Sequence, residues 1–319
     1  MSAPLRRLDR NESKQEKGIH WAIVAGGSGQ VGHMFASMLA SSGIEVTSVD
    51  TNLPVADREI EGVRYGRGDI TQPSDQLAQE LARADLVLLA VPEHVALAAV
   101  APLAQIMRQG ALLADTLSVK SRIANRIFKQ AAGLEAISLN PMFAPSLGMF
   151  GRPIAVIDLV DGPRSQALKE LLRHWGARVV LVEAAEHDHL TAAMQVATHS
   201  AILAFGTALR ALGADISELR ALAPPPHLTL LAMLARISSG VPDVYWDIQA
   251  ANPEAPSARE ALWHGMERLQ SMVDSGDESG FAALFGEMQT LLGVNRAPLA
   301  EICERLFAEL PLEPRKTDE

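Results

Sequence analysis

Three glycines, Gly27, Gly29 and Gly32, form a G-x-G-x-x-G pattern, and Asp50 follows 18 residues after the last of them (50 − 32). That spacing suits a dinucleotide. A first glycine permits a tight turn, a second lets the backbone approach a pyrophosphate, and a third lets a helix pack closely on a strand. Ser28, Gln30 and Val31 complete the loop, whose free N–H groups face the phosphates at a helix N-terminus. Asp50 would accept hydrogen bonds from the ribose hydroxyls, and the residues after it, Thr-Asn-Leu-Pro, offer no arginine for a 2′-phosphate. NAD is therefore expected over NADP. A second group, His187, Thr191, Gln195 and His199, recurs every four residues in a segment otherwise rich in Ala, Met, Val, Ile, Leu and Phe. Solvent faces of helices usually carry Glu, Lys and Arg, so this stripe reads as the lining of a polar cleft between domains. At about 1.5 Å per residue the two histidines stand about 18 Å apart and serve different ends of it.

The elements that must position these groups fall into two halves. "WAIVA" reads as a buried strand before the glycine loop, "HMFASMLASSG" as a helix closed by Gly43, and "EVTSVD" as a strand ending in Asp50. The alternation continues through the strand of "ADLVLLAVPEH", the helix "VALAAVAPLAQIM", the strand of "GALLADTLS", the helix "SVKSRIANRIFKQAAG" and the strand "LEAISLN". "PIAVIDLV", "SQALKELLRHWG" and "ARVVLVEA" repeat it once more. Alternating strands and helices predict an α/β, mostly parallel, doubly wound Rossmann sheet, with ligands beyond the carboxyl ends of its strands. Val91, Pro92, Ser118 and Asn140 all fall at such ends. After about Ala184 the strand signals stop, and the rest repeats at helical spacing. The expected organisation is a disordered tail over 1–18, a dinucleotide-binding domain over 19–183 and an all-α dimerisation and substrate domain over 184–319.

With 48% hydrophobic and 21% charged residues, the 319-residue chain has the composition of a soluble two-domain protein. Its net charge of −10 and the absence of a basic run argue against nucleic acid or anionic lipid as partner. No secretory signal opens it, and the longest apolar stretch is interrupted by Gln195, Thr198 and His199, so no membrane span is expected and the cytoplasm is the default location. The single cysteine, Cys303, excludes an intramolecular disulfide and a cysteine-based zinc site, and reads as a buried small hydrophobe. No metal is expected.

Taken in order, "GGSGQVG", "VPEHV", "SVK", "NPMFAP", "WGARV", "EHD", the histidine of "ATHS" and "ARISSGVPDVYWDI" resemble the prephenate/arogenate dehydrogenase family over about residues 19 to 290. The resemblance implies a Rossmann domain followed by a helical dimerisation domain, hence a homodimer. It also implies NAD(P)-dependent oxidative decarboxylation. Hydride leaves ring carbon 4, carbon dioxide leaves carbon 1, and the ring becomes aromatic. It places Ser118 near the nicotinamide and the catalytic residue, and His199 and Arg236 on the substrate. A planar guanidinium at Arg236 suits one carboxylate of a dicarboxylate substrate. His187, in "EHD", takes a supporting catalytic role, and Lys120 helps by charge or serves simply as a first-turn lysine.

The sequence departs from the family at Asn140. The family has histidine there, accepting the proton of a 4-hydroxyl, and a positioned base contributes roughly 10²–10⁴-fold. Asparagine cannot be that base near neutrality. Either the enzyme is a crippled prephenate or arogenate dehydrogenase, or its substrate carries an amino group at carbon 4. Nitrogen supports the developing cation better than oxygen, and an asparagine carbonyl can accept from an amine. Because the rest of the site is intact, the second reading is favoured: 4-amino-4-deoxyprephenate converted to 4-aminophenylpyruvate, as in the supply of p-aminophenylalanine to antibiotic pathways. A histidine restored at 140 would need a neighbour to orient it, and Ser118 is the candidate. No chorismate mutase segment is expected before residue 19, and no regulatory domain after the helices. β-Hydroxyacid dehydrogenases share the layout but depend on a lysine in the helical part, where none lies between Lys169 and Lys316. A non-catalytic NAD-binding sensor is the reading from another functional class.

Overall fold

The computed structural model describes residues 18–54 and 58–310. Apart from Gly18, the expected tail lies outside the described residues. In chain order the first half runs β1 (Trp21–Ala25), α1 (Gln30–Ser41), β2 (Glu45–Asp50), β3 (Val63–Arg67), α2 (Asp75–Leu81), β4 (Leu86–Leu89), α3 (Glu93–Ile106), β5 (Leu112–Asp115), α4 (Ser121–Gln130), β6 (Glu135–Pro141), β7 (Pro153–Val160), α5 (Pro163–His174) and β8 (Arg178–Leu181). The eight strands form one sheet in the order β3-β2-β1-β4-β5-β6-β7-β8. All neighbours are parallel except β6 and β7. That pair is joined by a loop with no crossover helix, which permits an antiparallel return.

Alternation along each strand splits the core into two layers. Ile23, Ala25, Val87, Leu89 and Leu113 pack under α2, α3 and α4. Ala22, Val24, Leu86, Leu88 and Ala114 face the other way, toward Phe35 and Leu39 of α1 and Leu168 and Leu172 of α5. β3 and α2 were illegible in the sequence for a physical reason. β3 is an edge strand, "VRYGR", with no buried residue, and α2 has only seven residues, capped by Ser74 accepting from Leu77 N.

The chain divides into two compact units, the first ending at Leu190 and the second beginning at Thr191. The second contains most of α6 (Ala184–Ala211), then α7 (Ile216–Leu222), α8 (Pro225–Ser238), α9 (Pro242–Ala251), α10 (Ala255–Ser275), α11 (Glu278–Leu292) and α12 (Arg296–Ala308). The first turns of α6 go with the sheet because His187 and Asp188 hydrogen-bond to residues there. The rest of α6 contains a π-helical stretch, Ala192–Ala197. Its wider turn advances less per residue, offsetting the drift of a four-residue repeat on an α-helix with about 3.6 residues per turn. Gln249 Nε2 donates to the Val196 carbonyl inside this stretch at 3.1 Å, and Asn252 Nδ2 donates to Thr191 Oγ1 at 3.3 Å.

By length and composition alone, α6 is long and apolar enough to cross a membrane, where the polar residues at 195, 198 and 199 argued against a span. Its polar groups at Thr191 and Val196 are bonded to neighbouring side chains of the same unit. Cys303, expected to be buried, is exposed on α12, a helix that buries no residue in the single chain.

Candidate active site

The glycine loop sits where the strand order reverses, between β1 and β4, and the sequence dictates its shape there. Gly26, outside the G-x-G-x-x-G pattern, is the residue that takes the left-handed conformation, at φ 82°. A Cβ on it would lie 2.2 Å from the Ala90 carbonyl oxygen. The turn was expected at Gly27, but Gly27 is required by packing, since its Cβ would strike Ser48 Oγ at 2.0 Å. Gly32 packs its Cα against the turn, where a Cβ would fall 2.2 Å from the Gly26 carbonyl oxygen. α1 starts at Gln30 with no side-chain cap, so the first N–H groups, including those of Gln30 and Val31, remain available to an anion. Asp50 closes β2, its Oδ2 accepting from Ser28 N at 3.2 Å. Val91 is half-buried beyond β4, and Pro92 is the N-cap of α3. These residues fit a dinucleotide: a side-chain-free cradle for the pyrophosphate and a carboxylate at the ribose end.

β3 adds what the sequence hid. Arg67 is paired in register with Asp50, and its Nε donates to the Thr51 carbonyl at 3.0 Å. An arginine therefore stands next to Asp50, although none follows it in sequence.

Beyond β5 and β6 lies a buried polar corner. Asn140 closes β6 and is 3% exposed. Its Nδ2 is 3.0 Å from His187 Nε2, and His187 Nδ1 is 3.0 Å from Asp188 Oδ1. Asp188 also accepts from Lys120 N and Ser121 N, both at 2.8 Å, and so caps α4 from outside. Burial alone would raise the Asp188 pKa, but the bonds from His187, Ser121 and the Lys120 backbone outweigh it and hold the carboxyl below its ordinary value. Lys120 was expected either to help bind the substrate by charge or to be an ordinary first-turn lysine. It is instead 0% exposed, with Nζ donating to Asp115 Oδ1 at 2.9 Å and to the Leu139 carbonyl at 2.7 Å. Burial lowers its pKa, against the pull of Asp115 and Asp188. It acts by tying the end of β5 to the residue before Asn140. Ser118 is half-buried in the preceding loop. The side chain within hydrogen-bond range of Asn140 is that of His187.

The helical unit holds the other expected residues. His199, on α6, packs edge-on against Tyr245 of α9, with ring centroids 5.0 Å apart. Burial, reinforced by the Arg236 charge, lowers its pKa and favours neutral imidazole. Arg236, in the last turn of α8, is exposed. Gln195 Oε1 and His199 Nδ1 are buried with no hydrogen-bond partner among the described residues. Buried polar atoms in that state leave a cost that a bound ligand or water would relieve.

Two family models match the chain: the prephenate dehydrogenase nucleotide-binding domain over residues 35–153 and the prephenate dehydrogenase dimerization domain over residues 183–287. The chain is 54% identical over 288 residues to a 4-amino-4-deoxyprephenate dehydrogenase from Streptomyces pristinaespiralis, covering 90% of this chain and 96% of that one. The chain belongs to the prephenate dehydrogenase family. As a family member it shares its fold with a prephenate dehydrogenase from Aquifex aeolicus solved with hydroxyphenyl propionate and NAD+ (TM-score 0.67, 16% identity, 85% and 96% of the two chains). A Synechocystis arogenate dehydrogenase superposes with a TM-score of 0.61 at 16% identity, over 85% and 98% of the two chains. The prephenate dehydrogenase motifs read from the sequence thus sit in a sheet and a helical unit of the expected kinds. The residue that sequence reasoning missed is Asp188. Its signal was present in "EHD", adjacent to a histidine already singled out.

Proposed function

We propose that this chain is an NAD-dependent dehydrogenase that oxidatively decarboxylates 4-amino-4-deoxyprephenate to 4-aminophenylpyruvate. The observation that carries the reading is Asn140, a buried amide where the family resemblance implies a histidine base. The S. pristinaespiralis relative bears the name of that activity, which supports the assignment. NAD supplies the hydride acceptor when bound. The amine on ring carbon 4 reacts as its free base, the proton of its ammonium form having left to solvent, and Asn140 accepts from it through its carbonyl oxygen without taking a proton. The nitrogen lone pair supports the charge left by the departing hydride. The carboxylate on carbon 1 leaves as carbon dioxide, and its bonding electrons complete the aromatic ring. Arg236 and the neutral His199 bind the substrate's polar periphery, with Gln195 beside them on α6. Ser118 borders the nicotinamide.

The helical unit leaves Trp246 70%, Trp263 65% and Val294 92% exposed. Together with the match to a dimerization domain, this supports a homodimer formed through these helices, working in the cytoplasm on a small dicarboxylate. The test is NADH formation with 4-amino-4-deoxyprephenate, prephenate and arogenate side by side. Preference for the amino compound is the expected result. Preference for either hydroxyl compound would assign the enzyme to tyrosine biosynthesis, and no turnover of any of them would make it a sensor.

A further inference from the structure

With a single proton on the His187 ring, the side chains around Asn140 have one consistent arrangement of protons. An ionised carboxylate can only accept, so the hydrogen between Asp188 Oδ1 and His187 Nδ1 belongs to the imidazole. A neutral imidazole protonated on Nδ1 has Nε2 as its acceptor, so the atom of Asn140 that meets Nε2 at 3.0 Å must be the amide nitrogen. The amide oxygen is then turned to the opposite side of the Asn140 side chain. Were the ring proton on Nε2, the amide would have to reverse and present its nitrogen instead.

We propose that Asp188 is a positioning residue for substrate selection: through the tautomer of His187 it fixes Asn140 with its carbonyl oxygen, an acceptor, toward the ligand. The part about selection rests on the reading of Asn140 as facing the carbon-4 substituent. An amine on that carbon donates to the oxygen. As hydride leaves, the amine's single lone pair is drawn into the ring and only N–H donors remain, so a reversed amide would set N–H against N–H, whereas a hydroxyl keeps a second lone pair with which to accept. The Asp188 carboxylate can hold its share of this arrangement because α4 anchors it. Lys120 N and Ser121 N donate to its two oxygens, each at 2.8 Å, so it cannot rotate away from His187 without uncapping the helix. The same relay is prepared for histidine at position 140. An imidazole there would donate one ring N–H to His187 Nε2 and leave its other nitrogen as a base.

Two measurements on the full chain test this. In ¹⁵N-histidine-labelled wild type at neutral pH, with the His187 signals assigned by their loss in His187→Gln, the ring should carry its proton on Nδ1. A proton on Nε2, or on both nitrogens, would overturn the relay. In kinetics, His187→Leu removes the acceptor and His187→Gln keeps one. The first should lower kcat/KM for 4-amino-4-deoxyprephenate about tenfold relative to prephenate, as expected for a lost hydrogen bond in a buried site, and the second should recover part of that ratio. Asp188→Asn should shift the same ratio and leave NAD affinity unchanged. A purely structural role would lower thermal stability and the activity on both substrates alike, without moving the ratio, and that outcome would also reject the proposal. If wild type fails to oxidise the amino compound, the substrate reading falls, and the tautomer measurement still decides whether Asp188 orients Asn140.

Discussion

The corner around Asn140 and the surface around Arg236 are both polar, but they are built in opposite ways. In the first, Asn140, His187, Asp188, Lys120 and Asp115 are almost wholly buried and hydrogen-bonded in sequence. In the second, Arg236 is exposed, and Gln195 Oε1 and His199 Nδ1 have no partner among the described residues. Apart from Asp115 Oδ2, which lacks a partner among the described residues, the corner is hydrogen-bonded from end to end, and such a network is preorganised and holds a group at fixed geometry without reorganisation. An unsatisfied one gains from ligand binding. The difference separates a rigid polar corner in the sheet unit from an unsatisfied polar patch in the helical unit.

Breaking the buried corner should have the largest effect. Lys120→Ala removes the cation from the buried Asp115 and leaves its carboxyl only the Leu117 N–H, and removing one partner of a buried pair costs about 3–5 kcal/mol. Chemical denaturation should show that loss. A change below about 1 kcal/mol, the range of exposed pairs, would mean that the corner is not the rigid half of the site. Next comes Arg236→Ala, expected to raise KM for the substrate by the loss of a charge-assisted pair of about 1.5–3 kcal/mol without changing the denaturation midpoint. Arg236→Lys should recover only part, since an ammonium lacks the planar fork. An unchanged KM in the alanine variant would remove Arg236 from substrate capture.

The sequence made the two regions legible to different degrees. The glycine loop, Asp50 and most of the sheet could be read because local rules determine them: buried strands are continuous apolar runs, and a turn against a neighbouring strand admits only glycine. β3 could not, because an edge strand is half solvent and carries Arg64 and Arg67 where apolar residues would have betrayed it. Arg67 therefore reached the side of Asp50 unnoticed. The Asn140–His187 contact spans 47 residues and depends on how α6 enters the sheet unit, which no local pattern encodes. Lys120 was read by its charge, whereas its burial is a property of β5, β6 and α6 together.

The cofactor end offers a smaller effect. Asp50→Ala should weaken NAD binding by about 1 kcal/mol, the net value of an ordinary hydrogen bond, and narrow the preference over NADP, helped by the adjacent Arg67. Equal wild-type efficiency with the two cofactors would refute the role of Asp50. The smallest expected effect separates the two regions by pH. His199 titrates below its ordinary value, so the unfolded chain takes up a proton first, and stability should begin to fall as pH drops through about 6.5. Asp188 is held below its ordinary value, so its contribution is complete above about pH 3.9 and is lost only under stronger acid. His199→Gln should flatten the first limb of the stability profile and leave the second. Loss of the second limb in that variant would contradict the separation.

The central claim is that residue 140 sets the substrate, and the most direct measurement is kcat/KM for 4-amino-4-deoxyprephenate and for prephenate in wild type and in Asn140→His. The account expects wild type to prefer the amino compound. It expects the histidine variant to gain prephenate turnover, up to the roughly 10²–10⁴-fold that a positioned base contributes, while losing turnover of the amine. Brisk wild-type oxidation of prephenate with little of the amino compound, or an Asn140→His variant with an unchanged ratio, would contradict it.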